Sequence, residues 1–204
     1  MALLAAAFAL PASAQDARQN APLRTQATYI NLNGGGKTLP PAFEGTDGNF
    51  YGTTYQGGAN GDGTIFKITP SGALATLYSF CSQSSCADGE YPLAALTQGT
   101  NGTFYGTTYN GGTNGDGTVF SLSVGLGPFV ETDPISGNVR GAVNILGTDL
   151  TGATKVTFHG IAATFIVVSN SEITTTVPTG ATTGTVKVVT QGGTLSSNVP
   201  FAVN

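Results

Sequence analysis

Apolar and polar residues alternate with a period of two along much of the chain. Three such stretches follow one another at Asn49–Tyr55, Thr64–Thr69 and Ala73–Phe80. This alternation is typical of half-buried β-strands. The segment QGGANGDG between the first two stretches contains Asn-Gly and Asp-Gly pairs, which favour the positive φ angles of hairpin turns. We therefore predict three antiparallel strands, with Glu90–Leu96 as a short fourth strand.

The pattern is repeated. Gly48–Thr69 (GNFYGTTYQGGANGDGTIFKIT) and Gly102–Ser123 (GTFYGTTYNGGTNGDGTVFSLS) are identical at 15 of 22 positions, and equivalent residues lie 54 apart. A fixed period of this length indicates stacked structural units. Three or four strands in each period fit one blade of a β-propeller. The second copy stops before its third strand, so we expect an incomplete propeller-like region.

A different alternating pattern fills the C-terminal part, where Val, Thr and Ala dominate. Turn residues recur there every 8–12 residues, which is typical of a β-sandwich. We predict six strands, with Val143, Ile145, Val156, Phe158, Val186, Val188 and Phe201 in the core. The predicted strands are Val143–Leu146, Lys155–Phe158, Thr164–Val168, Glu172–Val177, Thr185–Val189 and Pro200–Val203. The fold class is therefore all-β, with the repeat region followed by an Ig-like sandwich.

The N-terminus has the composition of an export signal. Ala2–Leu10 is a short apolar run, and the A-x-A site that follows predicts cleavage after Ala14. A buried N-terminal helix is the alternative interpretation. We predict a signal peptide at 1–14, a disordered lead-in at 15–28, repeats at 29–124 and the sandwich at 127–204. The protein is then secreted or held at the cell surface, and no segment predicts a membrane span.

The two cysteines, Cys81 and Cys86, agree with export. An even number of cysteines in a secreted chain favours a disulfide, and we predict that these two are bonded. Their spacing is not that of a zinc site. The net charge is −4, and the seven Lys and Arg residues are scattered. A nucleic-acid partner, which needs clustered basic residues, is therefore not expected.

The repeat pattern identifies a family. The pattern G-x-F-Y-G-T-T…G-G…G-D-G-T-x-F…L-Y-S-F…D-G…P…L covers about Gly45–Ser123. It resembles the GloVer-type tandem repeat of secreted bacterial proteins, and CSQSSCADGEYPLAAL resembles that family's segment between repeats. The resemblance implies several repeats in one chain and assigns no activity to the repeat itself.

The C-terminal pattern resembles a second family. P-x-S-G…V-x-I-x-G…G-A-T-x-V-x-F-x-G…VP…V-x-V…F-x-V covers nearly all of Phe129–Val203. It is similar to the IPT/TIG immunoglobulin-like domains, although Leu150 stands where that family often has Phe. The resemblance implies an antiparallel sandwich.

The sequence offers little catalytic chemistry. His159 is the only histidine, and alternation with Val156 and Phe158 places it facing outward or in a turn. A general base needs a nucleophile or carboxylate beside it, and none can be named. Asn33–Thr38 (NGGGKT) imitates the end of a P-loop, but the first glycine of that motif would fall at Asn31. We predict that the protein is not an enzyme.

Two kinds of binding residue recur with the repeat. Asn60, Asp62, Asn114 and Asp116 provide oxygen ligands on glycine-rich turns, which suit calcium, although these residue types also favour the turns themselves. We expect no other cofactor. The candidate ligand-binding residues are Tyr51, Tyr55, Tyr105 and Tyr109, which either stack on a sugar or peptide or fill the core between blades.

These observations predict a secreted, non-catalytic scaffold or recognition module for an extracellular polysaccharide or protein. The alternative is an accessory fragment of a larger extracellular carbohydrate-active enzyme. Since fewer than two full repeats leave strand edges without partners, we also expect self-association through open repeat edges.

Overall fold

The structure is a computed structural model that describes residues 41–204. The predicted signal peptide, the lead-in and the glycine-rich segment at 33–38 lie outside these residues. The described chain is all-β, as predicted, and its antiparallel sheets do not close into a barrel. It divides into two compact units. One contains 41–99 and 103–124, and the other contains 100–102 and 125–204.

The first unit contains the repeats. Its strands are β1 (Phe43–Glu44), β2 (Phe50–Thr54), β3 (Thr64–Ile68), β4 (Leu74–Ser79), β5 (Glu90–Pro92), β6 (Thr97–Gln98), β7 (Phe104–Asn110) and β8 (Val119–Leu122). The first repeat forms the four-stranded antiparallel sheet β1-β2-β3-β4. In the second sheet β7 is central and pairs with β5, β6 and β8. Of the predicted fourth strand, Glu90–Leu96, only β5 is observed, and it pairs with β7 of the second repeat.

The repeat places a glycine where an aromatic ring needs room. A Cβ on Gly52 would lie 2.6 Å from the Phe66 ring, and one on Gly106 would lie 2.5 Å from the Phe120 ring. Gly52 on β2 lies directly opposite Phe66 on β3, and Gly106 on β7 lies directly opposite Phe120 on β8. Glycine is thus required at these positions for the close approach of a ring and not for an unusual backbone angle.

The second unit is a sandwich of short strands. They are β9 (Glu131–Asp133), β10 (Ser136–Gly137), β11 (Ala142–Leu146), β12 (Lys155–Phe158), β13 (Ile161–Ala163), β14 (Phe165–Ser169), β15 (Glu172–Thr176), β16 (Val186–Thr190), β17 (Gly193–Ser196) and β18 (Ala202–Val203). The order is β14-β15-β11-β9 in one sheet and β13-β12-β16-β17 in the other, and β10 pairs with β18 in parallel.

All seven predicted core residues lie in one buried cluster, which confirms that prediction. Side chains of both sheets meet in the cluster, such as Ile145 and Ile173 from one sheet and Val156 and Val188 from the other. Apolar burial contributes about 25 cal/mol per Å². This cluster is therefore the main source of stability in the second unit.

Candidate functional site

The four candidate tyrosines occupy different environments. Tyr51 is only 1% exposed, its ring lies 4.3 Å from that of Phe104, and its hydroxyl donates to Asp47 Oδ2 at 2.9 Å. Desolvation and this carboxylate together raise its pKa well above the usual value. Tyr51 therefore fills the core between the two repeats, which is the second of the two interpretations given for it, and it offers no surface for a ligand. By contrast, Tyr105 and Tyr109 are 39% and 63% exposed.

Tyr55 forms an aromatic pair that the sequence analysis missed. It follows β2 directly, and its ring centroid lies 4.9 Å from that of Tyr91 in β5, at an interplanar angle of 31°. The Tyr91 backbone has φ 57°, and its N–H donates to the carbonyl of Asp62 at 2.8 Å. The hairpin loop of the first repeat thereby holds Tyr91 beside Tyr55. These two rings form the partly exposed tyrosine pair.

Two carboxylates accompany the tyrosine pair. Hydrogen-bonding and charge interactions with the Asp62 carboxylate raise the pKa of Tyr91. Ligand atoms of Asp62, Glu90, Cys81 and Cys86 all lie within 4.8 Å of one another. The two cysteines are bonded to each other, as predicted, so their sulfurs are not thiolates. Asp62 and Glu90 remain as the charged groups of this cluster.

The candidate calcium ligands have clear roles in the turns. The Asn60 side-chain amide donates to the carbonyl of Phe80 at 2.8 Å, and the glycines after Asn60 and Asp62 have φ angles of 90° and 105°. Asn114 and Asp116 are exposed in the equivalent loop, where the following glycines also have positive φ. Turn formation is sufficient reason for all four residues, and calcium binding stays a prediction.

Both loops are closed by the same bonds. In the first repeat Gly63 N–H donates to the carbonyl of Gly57 at 3.0 Å, and in the second Gly117 N–H donates to that of Gly111 at 3.0 Å. A threonine pair flanks each loop, with Oγ1 atoms 2.8 Å apart for the buried pair Thr54 and Thr64 and 3.0 Å apart for the partly buried pair Thr108 and Thr118. The sequence identity of the two loops is therefore matched by the same closing bond and the same threonine pair.

A comparison with family models agrees with this geometry. The model described as the Gloeobacter/Verrucomicrobia repeat matches residues 19–191. The chain belongs to the Gloeobacter/Verrucomicrobia repeat family. This confirms the GloVer part of the predicted resemblance. No curated protein matches the chain.

In this member of the Gloeobacter/Verrucomicrobia repeat family, Asp88 organises the disulfide loop. Its carboxylate accepts hydrogen bonds from the Tyr78 hydroxyl at 2.7 Å, from Ser82 N–H and Oγ–H at 2.9 Å each, and from Gln83 N–H at 3.1 Å. Desolvation raises the pKa of Asp88, but these bonds outweigh it and lower the pKa to about 2. Asp88 thus holds the Cys81–Cys86 loop against β4, a role that the sequence analysis did not foresee.

His159 lies in the turn after β12, as predicted. It is exposed, has φ 45°, and its Nδ1 lies 2.8 Å from Thr182 Oγ1. A threonine hydroxyl neither orients nor charges an imidazole as a carboxylate does. This histidine therefore has the environment of a turn residue. Among residues 41–204, no helix is long and apolar enough to cross a membrane.

Proposed function

We propose that this protein is a secreted, non-catalytic recognition module whose repeat region binds an extracellular polysaccharide. The observation that supports the proposal best is the tyrosine pair, Tyr55 and Tyr91, with the carboxylates of Asp62 and Glu90 beside it. Tyrosine offers a rigid apolar face with a polar end, and it gives contact area at a low cost in side-chain entropy. Carboxylates near such rings accept hydrogen bonds from sugar hydroxyls.

The experiment is glycan binding by the full chain. Affinity electrophoresis in gels that contain soluble β-glucan, xylan or galactomannan should show retardation by at least one of them. Tyr91→Ala should weaken that binding about tenfold or more, since removal of a central interface aromatic usually costs more than about 1 kcal/mol. Tyr109→Ala is the matched control, because Tyr109 is the repeat equivalent of Tyr55 and is 63% exposed.

Two outcomes would count against parts of this proposal. If none of the three glycans retards the chain, polysaccharide binding fails, and a protein ligand becomes the better hypothesis. If Tyr109→Ala and Tyr91→Ala weaken binding equally, the ligand covers both repeats and the tyrosine pair is not the centre of its site. A role as the accessory part of a larger carbohydrate-active enzyme is the alternative function.

Export is part of the proposal. The disulfide supports it, because disulfides persist in oxidising compartments and are rare in reducing ones. Protein recovered from the periplasm or medium should begin at Gln15 and be two hydrogens lighter than its reduced form, and intact mass spectrometry measures both. A chain that retains Met1 and two alkylatable thiols would contradict export.

We also propose that residues 127–204 are an IPT/TIG-type domain. The support is the agreement between the motif positions and the observed sandwich, in which Val143, Ile145, Val156 and Phe158 all point into one core. In this proposal the sandwich is a spacer or a second binding module for the repeats. Fold alone does not assign it a ligand.

A further inference from the structure

The disulfide lies against two carboxylates of the repeat region. One ligand atom each from Asp62, Cys81, Cys86 and Glu90 lies within 4.8 Å of the other three. All four side chains are partly exposed, so a solute can reach them. The spacing of the two cysteines did not predict a metal site, because Asp62 stands 19 positions before Cys81 and only the fold brings it there.

Backbone hydrogen bonds hold this thiol–carboxylate cluster together without the disulfide. Cys81 N–H donates to the carbonyl of Gly89 at 3.0 Å, which places Cys81 next to Glu90. Tyr91 N–H donates to the carbonyl of Asp62 at 2.8 Å, which brings Asp62 to the same segment. These bonds join three parts of the chain, and neither of them involves sulfur.

The loop that carries Cys86 is likewise held by bonds other than the disulfide. The Cys86 carbonyl accepts a hydrogen bond from Gly112 N–H at 2.9 Å. The Asp88 carboxylate accepts hydrogen bonds from Ser82 and Gln83, which lie between the cysteines. Reduction of the disulfide should therefore leave both sulfurs close to the two carboxylates.

Reduction changes the chemistry of the cluster. A dithiol reductant transfers two electrons and two protons to the disulfide, which breaks the S–S bond and forms two thiols, while the reductant itself becomes a disulfide. Two sulfurs and two carboxylates then provide the four ligands of a tetrahedral zinc ion. Such ligands lie about 3.3–3.8 Å from one another on zinc, so ligand atoms that already lie within 4.8 Å need only small shifts.

The ligand types favour zinc over the calcium considered for the hairpin loops. Thiolates are soft ligands that select zinc over calcium and magnesium, whereas calcium takes roughly six to eight oxygen ligands. A divalent cation also compensates the negative charge of the carboxylates, and the two thiol protons leave as it binds.

We propose that the reduced chain binds one Zn²⁺ through the Cys81 and Cys86 thiolates and the Asp62 and Glu90 carboxylates. The disulfide and the metal exclude each other, because both use the same two sulfurs. The cluster is then a metal site under reducing conditions and a covalent link under oxidising ones. The inference does not depend on the proposed glycan binding, and its tests use no glycan.

Cobalt titration of the reduced full chain tests this site, because Co²⁺ replaces zinc and its absorption reports its ligands. The reduced chain should bind one Co²⁺, with sulfur-to-cobalt charge-transfer bands and the visible bands of tetrahedral cobalt, and added Zn²⁺ should remove both. The oxidised chain should show neither.

Single carboxylate variants test the oxygen ligands. Glu90→Gln and Asp62→Asn should each weaken Co²⁺ binding at least about tenfold, since loss of even an indirect partner of a metal ligand costs about that much. Asp116→Asn is the matched control, because Asp116 is the repeat equivalent of Asp62 and lies outside the cluster. It should bind Co²⁺ as the wild type does.

Each other result overturns the proposal. Absence of the charge-transfer bands in the reduced chain would show that the thiols do not bind the metal. Unchanged affinity in Glu90→Gln and Asp62→Asn, or an equal loss in Asp116→Asn, would show that these two carboxylates are not its ligands. One Co²⁺ for every two chains would show that the cysteines bridge molecules.

A second measurement follows the thiols and the loop. Zn²⁺ should slow the reaction of the reduced cysteines with an aromatic disulfide reagent at least about tenfold, and Glu90→Gln should remove most of this protection. Equal protection in the wild type and in Glu90→Gln would mean that the cysteines alone hold the metal. Hydrogen exchange of the Gly112 amide should stay slow in the reduced, metal-free chain. Fast exchange would show that the loop opens on reduction and that the site is not preformed.

Discussion

At the scale of single residues, the same residue type has different roles in the two repeats. Tyr55 pairs with Tyr91 at 4.9 Å, whereas Tyr109 is 63% exposed. The difference arises because Tyr91 comes from the segment between the repeats and approaches from 36 positions away in sequence. Sequence spacing alone could not predict this contact, since it depends on the positive φ of Tyr91 and on its bond to the Asp62 carbonyl.

Asp88 leads to a prediction about pH. Its pKa is lowered from 3.8 to about 2 in the folded protein, so its contribution to stability is complete above the unfolded value of 3.8 and is lost as the pH falls toward 2. Asp88→Asn should lower the free energy of unfolding by about 1 kcal/mol at pH 7, after allowance for solvent screening. Thermal unfolding should be measured from pH 2 to pH 7. The difference in stability between wild type and variant should decrease and disappear as the pH falls below 4.

The control for this prediction is Asp116→Asn, which changes an exposed carboxylate in the second hairpin loop and should have little effect. If the gap between wild type and Asp88→Asn stays constant down to pH 2, the hydrogen bonds of Asp88 do not depend on its charge, and the assignment is wrong.

At the scale of elements, alternation located the longer strands well. Lys155–Phe158 was predicted with its observed bounds, and Asn49–Tyr55 differs from β2 by one residue at each end. The strands that the pattern missed are short and carry small or polar residues, such as β10 (SG) and β17 (GTLS). Such segments pair because neighbouring strands offer an edge, and this is not visible in their own hydrophobic pattern.

Core packing in the sandwich gives a testable prediction at this scale. Phe158 is 1% exposed, and its ring contacts that of Phe201 edge-to-face at 5.2 Å. Phe158→Ala should lower the free energy of unfolding of the sandwich by about 3–5 kcal/mol. The readout is faster hydrogen exchange of the Val156 and Val188 amides in the full chain. Ile166→Ala is the control, since Ile166 on β14 is 70% exposed and should change exchange little. Unchanged exchange in Phe158→Ala would refute this core.

At the scale of the whole molecule, all seven tyrosines precede residue 125. Tyrosine fluorescence therefore monitors the repeats, while exchange of the sandwich amides monitors the second unit. The sequence was sufficient to predict an all-β chain with a repeat region and a sandwich core, because periodicity and composition record those features directly. It did not predict the tyrosine pair or the Asp88 network, because both depend on side chains that only the fold brings together.

The closing bonds of the two hairpin loops have a consequence for how such genes change length. The closing bond of each loop joins two glycines of the same copy, and the donor and acceptor positions recur 54 residues later. Unequal recombination that inserts or deletes a whole period therefore gives every loop its closing bond. An insertion or deletion inside a loop changes the spacing between the donor glycine and its acceptor, and selection should remove it.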